Sequence, residues 1–498
     1  MKRKNSFKLA LVAAATLAGM SMFGSAKANT ADAASFSKAV TKIAGNKDYA
    51  IYHNVTSNGP SGKFTSTRYF KYGQIQSKRY LSTKKGTFWD IYVNGRHVGW
   101  VDQNFFARNT ISVAKEVSLV QNPSYSFSTR DAINYATNSQ GTAINPDKVS
   151  VSQENVSSNA TVTYTYGKAK ATTTVTVHPW QEGYSSASAK PGFKNTTTWT
   201  GGSKGSSRNW NAAAGYRSET RSNTFKSGDL TLKTKLFEPR FLSLGYDEAG
   251  DAMGQVGVIP EGMSMRGGLF VTSLFTSNSA SRGHLASYNL NAIKSKYAAQ
   301  NLTTMSFGSF KSYSKNIKVS PYIKLGHGQS LGQSASYIYV MANENKYKNG
   351  PKSEEILQIR KSDMQIEKIW TFKIANNRYI HNATFTDDGT MYALFHNGAN
   401  HLYEYWRVSR SGDNWVGTKV GATKGDFITN SPVQGFAYGN GYFFVGFNDH
   451  IFKVRTDGTA VKQYKFNTRR EIEGMAVDGD NLYVQFAQRS ELTASKIK

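Results

Sequence analysis

The sequence predicts an all-β protein with a small barrel, a small β-sandwich and a C-terminal β-propeller of about five blades. Three observations support this fold class. Short aromatic and β-branched runs, separated by Gly, Asn and Asp turns, follow one another along most of the chain. A segment near the N-terminus is rich in both aromatic and basic residues. Similar strand groups recur every 40–50 residues or so in the C-terminal half, as propeller blades do.

Composition limits the possible functions. The chain has 498 residues, with 61 Lys and Arg against 33 Asp and Glu, a formal charge of +28. This length corresponds to more than one domain, and 39% hydrophobic residues are enough for packed cores. The absence of cysteine excludes disulfides, thiol nucleophiles and Cys-ligated metal sites. The large positive charge indicates a polyanionic partner.

Residues 1–28 are typical of a secretory signal peptide. Lys2, Arg3 and Lys4 precede an apolar run over 9–23, and Ala26-Lys27-Ala28 supplies a cleavage site. The alternative, an uncleaved anchor helix, is disfavoured by the short apolar run. No later run is long enough for a membrane helix, and the C-terminus shows no sortase-type signal, so we expect no transmembrane anchor. A secreted protein at the cell wall or cell surface of a Gram-positive bacterium is therefore expected.

Residues 29–46 predict a helical turn over Ser35 to Ile43 and little else. Residues 47–107 form the first predicted module. They contain nine basic, three acidic and thirteen aromatic residues, and Asn94-Gly95 is a hairpin turn between strand-like runs. The run over 86–102, which contains Gly99-Trp100, resembles the core of a GW module, a bacterial SH3-like cell-wall-targeting domain named for its Gly-Trp dipeptide. The resemblance implies binding to cell-wall polymers, with lipoteichoic acid as the usual ligand.

The candidate wall-polymer residues of this module are cations and interleaved aromatics. Cations gain free energy on a polyanion by releasing its counterions, and aromatic faces cover apolar parts of a glycerol or sugar unit. Two alternatives stay open: Gly99 and Trp100 as structural residues, and the lysines as an ordinary solvated surface. Export argues against a nucleic-acid partner. The candidates are Lys78, Arg79, Lys84, Lys85, Trp89, Tyr92, Arg96 and Trp100.

Residues 108–179 form the second predicted domain. The runs 161–166 and 172–177 alternate with period two and place threonine on one face, as expected for half-buried strands. The segment resembles bacterial Ig-like surface domains, which implies an Ig-like β-sandwich acting as a spacer. Residues 180–208 are rich in Ser, Gly, Thr and Lys and predict a flexible linker.

Residues 209–498 form the predicted propeller. Four similar strands recur at 337–340, 391–394, 442–445 and 482–484, and a fifth copy is plausible at 268–271. The sequence therefore predicts about five blades. Because the last copy lacks its outer strands, we expect Thr231 to Leu244 to complete that blade and close the ring.

No catalytic signature is present: the sequence lacks HExxH, DxDxDG and GxSxG motifs and a glycine-rich phosphate loop. We therefore predict no enzymatic activity, no catalytic residues, no metal and no cofactor. Polar residues before the inner strands are expected at a central propeller mouth; hydrogen bonds between blades and solvated loop tips are the alternatives. The predicted mouth residues are His327, Gln329, His381, Gln434 and Glu473.

These elements predict a wall-associated binding protein that presents its propeller outward. Its expected partner is lipoteichoic acid or another anionic wall polymer, with host-matrix or S-layer contacts as further possibilities. Two alternatives remain. The segments 237–244 and 283–290 are similar to helveticin-type bacteriocins of lactic acid bacteria, which implies an antibacterial effector. The propeller could instead act on glycans as an enzyme.

Overall fold

The structure is a computed structural model. It describes most of the chain from residue 34 onward, and the predicted signal peptide lies outside the described residues. Apart from strands, it contains 3-10 turns at Gln103–Phe105, Thr129–Ala132, Pro146–Lys148 and Gly398–Asn400. The described residues include no helix that is long and apolar enough to cross a membrane. The described ranges are 34–45, 47–67, 75–93, 96–120, 127–178, 187–189, 196–201, 203–204, 222–237, 245–246, 252–254, 259–275, 282–293, 315–343, 354–375, 378–429, 431–468, 470–487 and 491–497.

The N-terminal module is one antiparallel sheet of six strands. The strands lie in the order β1-β4-β5-β6-β2-β3, and alternate residues such as Ile51, Ile91 and Val101 form its core. A Cβ on Gly99, whose φ is +139°, would lie 2.6 Å from the Tyr52 carbonyl oxygen, so the close approach of β2 and β6 requires glycine. The strands are β1 (Ala34–Lys42), β2 (Ala50–Thr56), β3 (Gly59–Ser66), β4 (Ile75–Thr83), β5 (Gly86–Val93) and β6 (Arg96–Asp102).

Strand β1 corrects one sequence-based expectation. We expected a helical turn over Ser35 to Ile43, but Ala34–Lys42 pairs antiparallel with β4 along a bulged ladder. A nine-residue helix gains little stability by itself, whereas the edge of β4 offers unpaired backbone groups. The module therefore contains one strand more than the sequence indicated.

The middle domain consists of two small sheets and a short hairpin around one core. The sheets have the orders β11-β10-β7 and β12-β14-β15-β8, and β13 pairs with β9. The predicted alternation is confirmed in β14, where Val162 and Tyr164 are buried and Thr161 is exposed. The strands are β7 (Thr110–Val113), β8 (Glu116–Val120), β9 (Phe127–Ser128), β10 (Ile133–Thr137), β11 (Ala143–Ile144), β12 (Ser150–Val151), β13 (Asn155–Val156), β14 (Ala160–Tyr166) and β15 (Ala169–His178).

The C-terminal region is a propeller of five blades, which confirms the predicted fold class. Four blades are formed by β23 to β27, β28 to β31, β32 to β35, and β37 to β40. Their strands are β23 (Ile259–Arg266), β24 (Leu269–Phe275), β25 (Arg282–Asn289), β26 (Ile317–Val319), β27 (Ile323–Lys324), β28 (Leu331–Gln333), β29 (Tyr337–Met341), β30 (Glu354–Arg360), β31 (Ile366–Phe372), β32 (Asn382–Phe385), β33 (Met391–Asn397), β34 (Leu402–Ser411), β35 (Asn414–Lys424), β37 (Gly435–Gly439), β38 (Tyr442–Phe447), β39 (His450–Arg455) and β40 (Ala460–Lys465).

The fifth blade joins the two ends of the propeller sequence. Strand β20 pairs antiparallel with β43, and the sheet order is β19-β20-β43-β42-β41. The alternating burial of Leu230 and Leu232 explains why this early segment can take an outer position. Residues 238–244 of the predicted closing segment lie outside the described residues. The strands are β19 (Thr224–Ser227), β20 (Leu230–Phe237), β41 (Ile472–Asp478), β42 (Asn481–Phe486) and β43 (Glu491–Lys496).

The described parts of the predicted linker are strands that lie against the propeller. Both β16 and β17 run parallel to β35, and β18 runs parallel to β36. Trp199 anchors this path: its ring packs against Phe427 and Phe452, with ring centroids 5.9 and 5.6 Å away. Burial of that indole outweighs the flexibility of the surrounding Ser and Gly residues. The remaining strands are β16 (Ala187–Ala189), β17 (Thr197–Thr198), β18 (Ser203–Lys204), β21 (Gly245–Tyr246), β22 (Ala252–Gly254) and β36 (Ile428–Thr429).

The middle domain shares backbone hydrogen bonds with the first blade. The amide of Tyr322 donates to the Glu116 carbonyl at 3.0 Å, and the amide of Ser118 donates to the Tyr322 carbonyl at 2.7 Å. The buried Tyr322 side chain belongs to the core of the middle domain. The middle domain is thus packed onto the propeller.

Candidate functional sites

The inner strands of the five blades surround the propeller axis, and each carries the same kind of residue pair near its start. In each pair a polar residue precedes a small one, and we call the five polar residues the axial ring. Strand period places the polar side chain and its small neighbour on opposite faces. The pairs are Glu261-Gly262, Gln329-Ser330, Asn382-Ala383, Gln434-Gly435 and Glu473-Gly474.

The small residues allow the inner strands to approach one another. A Cβ on Gly262 would lie 2.1 Å from the Gly328 carbonyl oxygen, and one on Gly474 would lie 2.7 Å from the Met263 backbone nitrogen. Both distances are far below van der Waals contact. Close packing at these positions brings the five polar side chains together around the axis.

The amides of the axial ring form a hydrogen-bonded chain. Asn382 Nδ2 donates to Gln329 Oε1 at 3.4 Å, and Gln329 Nε2 donates to Gln434 Oε1 at 2.6 Å. Gln434 Nε2 then donates to Glu471 Oε1 at 2.7 Å. Hydrogen bonds between blades, the alternative that the sequence analysis gave for these polar residues, are therefore present. The chain of hydrogen bonds ends at the Glu471 carboxyl group.

Three carboxyl groups interact at this end of the axis, and we call them the carboxyl cluster: Glu261, Glu471 and Glu473. Burial raises the pKa of Glu261 to about 8, and the charge of Glu471 adds to the effect. Burial, followed by the charges of Glu261 and Glu471, raises the pKa of Glu473 well above its ordinary value. Glu473 is only 6% exposed. Glu261 and Glu473 therefore favour their protonated forms, and acids perturbed in this way are common at functional sites.

A cavity of about 420 Å³ opens beside the axial ring. Four of the five predicted mouth residues line it, and the fifth, Glu473, lies in the ring next to it and shares a hydrogen bond with Gln329. Within the described part of the chain, no group of three or more His, Asp and Glu side chains is arranged to hold a metal ion. The lining residues are His327, Gly328, Gln329, Ser330, Met341, Asn343, Tyr379, Ile380, His381, Asn382, His396, Pro432, Val433 and Gln434.

Three imidazoles contribute to the cavity wall. The His396 amide donates to His381 Nδ1 at 3.2 Å, and burial lowers the pKa of His396. Surrounding protein also lowers the pKa of His327, although this residue exposes much of its surface to the opening. A neutral imidazole has one donor and one acceptor nitrogen, so His327 and His396 can each donate and accept a hydrogen bond in this form.

Sequence reasoning missed several residues of this site. The repeated polar–small pair is a signal that would have identified Glu261 and Asn382, and Glu471 has the strand spacing that places it on the same face as Glu473. His396 lies on the second strand of its blade, and no pattern in the sequence marks it.

The N-terminal module carries the second candidate site. Buried Asp90 accepts a hydrogen bond from Arg79 Nε at 3.0 Å, and its other oxygen lies 2.7 Å from His97 Nε2. The Lys78 ammonium lies 4.5 Å from the ring centroid of Tyr92, where a cation–π attraction holds it. This arrangement gives a basic surface whose cations are oriented by an acid and a ring.

The other predicted wall-polymer residues occupy different environments. Lys84 and Lys85 are exposed in the turn between β4 and β5. Trp100 is 7% exposed beneath the Arg79 guanidinium, whose carbon lies 5.1 Å from the ring. Trp89 is 2% exposed and packs against Lys42 Nζ, 3.6 Å from its ring. Each indole ring therefore lies under a cationic side chain, in a cation–π contact. The side chain of Arg96 lies outside the described residues.

Comparison with known proteins supports the N-terminal module. The family model for the GW (Gly-Tryp) dipeptide domain matches residues 33–107. No curated protein matches the chain in sequence. The GW resemblance is thus confirmed for this segment, while the Ig-like and bacteriocin resemblances stay predictions.

Solved structures similar to this chain include propellers. The β-propeller domain of Cps50 (Swd1) from Myceliophteria thermophila is 8% identical, with 48% of this chain and 98% of that chain covered and a TM-score of 0.26. BamB from Moraxella catarrhalis is 10% identical, with 50% and 87% covered and a TM-score of 0.24. Glutaminyl cyclase from Myxococcus xanthus is 12% identical, with 48% and 89% covered and a TM-score of 0.30. Scores this low assign no function.

These similarities correct the expectation that the protein is not an enzyme. The similar chains include glutaminyl cyclase and two glucose dehydrogenases, which are enzymes. The absence of familiar motifs was therefore the wrong ground for excluding catalysis, because one fold can host many unrelated functions. No particular activity follows for this chain.

Proposed function

We propose that the protein is exported and held at the cell wall by its GW module, which binds lipoteichoic acid or a similar anionic polymer. The propeller then presents its axial cavity to a ligand, either in the wall or on a host surface. The GW match over residues 33–107 is the observation that carries this proposal. The N-terminal pattern of basic residues, an apolar run and an Ala-Lys-Ala site supports export.

The basic surface of the module supports a polyanionic ligand. Lys78, Lys84 and Lys85 are exposed, and Arg79 is half-exposed over Trp100. A phosphate-rich chain that contacts them releases condensed counterions, and the released ions drive binding. One module gives only one attachment point. Residues 180–498 contain 39 basic against 25 acidic residues, so the propeller adds to wall attraction.

A wall-binding assay on the mature chain tests the tether. We expect the protein to sediment with purified cell walls and to lose most of this binding when teichoic acids are extracted. The double variant Lys84→Gln/Lys85→Gln should weaken binding to intact walls several-fold. The matched control, Lys168→Gln/Lys170→Gln, removes the same charge from exposed positions of the β14–β15 hairpin. Undiminished binding to extracted walls, or equal effects of the two variants, would contradict the proposed ligand.

A glycan-acting enzyme is the second candidate, and one observation favours it. Three imidazoles line the axial cavity, and two other lining residues, Gln329 and Gln434, are hydrogen-bonded to Glu473 and Glu471. The pKa of Glu473 is raised, as it is for many general acids. Product analysis of purified wall after incubation with the protein tests this function. Loss of products in His327→Ala and Glu473→Gln would support catalysis, and unchanged wall would contradict it.

The bacteriocin alternative has less support from the residues that suggested it. Phe237 and Leu285 are buried in β20 and β25, where they pack in the propeller. Growth-inhibition assays with the pure protein on related strains test it directly, and inactivity would remove it.

A further inference from the structure

We infer that the axial cavity binds an uncharged sugar unit, whose hydroxyl groups form hydrogen bonds with Asn382, Gln434 and His327. The inference rests on the proposed function for the cavity's role as the ligand site, and it specifies the ligand's chemistry. Three features of the cavity carry it: a wall without acidic or strongly basic side chains, amides held in fixed orientations, and buried apolar side chains in the same wall.

The wall of the cavity disfavours a charged ligand. Among the described residues that line it, none is Lys, Arg, Asp or Glu, although the whole chain has a formal charge of +28. Burial lowers the pKa of His327 and of His396, so these two imidazoles favour the neutral form. A charged ligand would lose water in the cavity and meet no counter-charge there, which costs free energy. The wall therefore suits an uncharged ligand.

Amides from three neighbouring blades are held in fixed orientations at the cavity. Asn382 donates to Gln329, and Gln329 donates to Gln434. Gln434 then donates to the Glu471 carboxyl group, so every bond of the chain runs in the same direction. That direction assigns the oxygen and nitrogen ends of each amide. Side chains that are oriented before binding lose little conformational entropy when a ligand enters.

These residues keep hydrogen-bonding capacity for a ligand. Asn382 is 1% exposed, and its Oδ1 atom accepts no hydrogen bond from the residues that the structure describes. A buried acceptor without a donor costs free energy that a ligand hydroxyl can recover. Gln434 uses only part of its amide on Gln329 and Glu471, and His327 is exposed at the opening. Amides and neutral imidazoles both donate and accept, as hydroxyl groups do, so the site matches a ligand with several hydroxyl groups.

Apolar side chains make up another part of the wall. Met341, Ile380 and Val433 line the cavity and are buried. A sugar ring has C–H faces between its hydroxyl groups, so it contacts apolar and polar groups at the same time. Small-molecule sites commonly combine an apolar wall with a few polar groups that fix the ligand's orientation. The volume of about 420 Å³ lies in the lower part of the range for such sites, roughly 300–1,000 Å³.

Two kinds of uncharged sugar share this chemistry. One is an N-acetylated amino sugar, as in a wall glycan, and the other is a hexose, as in a wall polymer or a host glycan. Both place neighbouring hydroxyl groups on a ring, and they differ in the acetamido group. Attachment at the wall, as proposed above, gives the propeller access to either source.

Titration of the mature chain, followed by NMR of the sugar, tests the inference and distinguishes the sources. The probes are two pairs: N-acetylglucosamine with its 6-phosphate, and galactose with galacturonate. The positive charge of the chain would by itself favour the anion of each pair. We expect at least one uncharged sugar to bind about tenfold or more tightly than its anion, because the wall offers no counter-charge. The preferred uncharged sugar identifies the source. Equal or tighter binding of both anions, or no saturable binding of either uncharged sugar, would overturn the inference.

Two variants locate the binding. Asn382→Leu removes the polar atoms of the buried amide at nearly constant shape, and His327→Ala removes an exposed imidazole from the opening. Each should weaken binding of the preferred sugar about fivefold or more, because each loses a hydrogen bond to the ligand.

The matched control is His53→Ala, which removes an exposed imidazole from the N-terminal module and should leave sugar affinity unchanged. Thermal melts verify that each variant is folded. Because His327 is exposed, its replacement leaves the packed core intact and keeps the test valid if Asn382→Leu does not fold. Wild-type sugar affinity in folded His327→Ala would overturn the assignment.

Wall sedimentation of the wild-type chain separates this inference from the proposed function. The titration uses free sugars, whereas sedimentation measures attachment to whole walls. Wall retention without sugar binding would reject the inference alone. Sugar binding without wall retention would reject the tether and leave the sugar site standing.

Discussion

The two candidate sites organise charge in opposite ways. In the N-terminal module the charged groups are exposed cations, and the partners that orient them, such as Asp90 and Tyr92, lie in neighbouring strands. At the propeller axis the ionisable groups are acids from different blades, and burial raises the pKa values of Glu261 and Glu473. Exposed cations suit a long flexible polyanion, whereas buried acids suit a small ligand that replaces water. In the proposed function, one chain thus combines a surface for attachment with a cavity for recognition.

The largest effect is expected from the glycines that create the axial ring. In Gly262→Ala the new methyl group would lie 2.1 Å from the Gly328 carbonyl oxygen, so the inner strands must separate. We expect a loss of about 3 kcal/mol or more in the free energy of unfolding, as for severe overpacking. Chemical denaturation measures it.

Gly267→Ala is the control for this substitution. Gly267 has φ +56° at the neighbouring hairpin, and its Cβ would meet nothing within 4 Å. Gly267→Ala should lower the free energy of unfolding by only about 1 kcal/mol, because an alanine is strained at this positive φ. Equal losses in the two variants would show that strand approach at the axis is not tight, and the axial ring would then lose its structural basis.

The carboxyl cluster predicts a distinctive pH dependence of stability. The folded state raises the pKa of Glu261 from 4.5 to about 8, so folding favours the protonated acid. The resulting stability is complete below the ordinary pKa and is lost as the pH rises through about 8. Glu261→Gln should therefore melt a few degrees above the wild type at pH 9 and close to it at pH 4. Thermal melts across this range measure the difference, and parallel curves would contradict the raised pKa.

The contrast between the two sites also explains what the sequence could predict. The GW segment was identifiable because its strands are consecutive and its Gly99-Trp100 pair is local. Five blades and their closure by β20 were predictable because each blade repeats the same strands. The carboxyl cluster was not, since Glu261 and Glu473 are distant in sequence and topology alone brings them together. The linker prediction overlooked Trp199, whose burial partners follow more than two hundred residues later.

A third prediction separates organised charge from total charge in the module. Asp90→Asn raises the net charge by one, yet it removes the carboxylate that orients Arg79 and His97. Loss of charged hydrogen bonds at this buried position should destabilise the module by about 2 kcal/mol. If orientation matters, wall binding falls about twofold to threefold despite the added positive charge. Stronger wall binding by folded Asp90→Asn would show that the number of cations alone determines attachment.

The smallest effect is expected in the salt dependence of wall binding. Each cation that contacts a phosphate of a flexible chain contributes about 0.7 to the slope of log affinity against log salt concentration. Lys84→Gln/Lys85→Gln should therefore lower the slope by roughly 1.4, because both side chains are exposed on the module. Lys168→Gln/Lys170→Gln should leave the slope unchanged, as the spacer makes no phosphate contact in this proposal. A wall-binding slope that both lysine pairs lower equally would instead assign attachment to the basic charge of the whole chain.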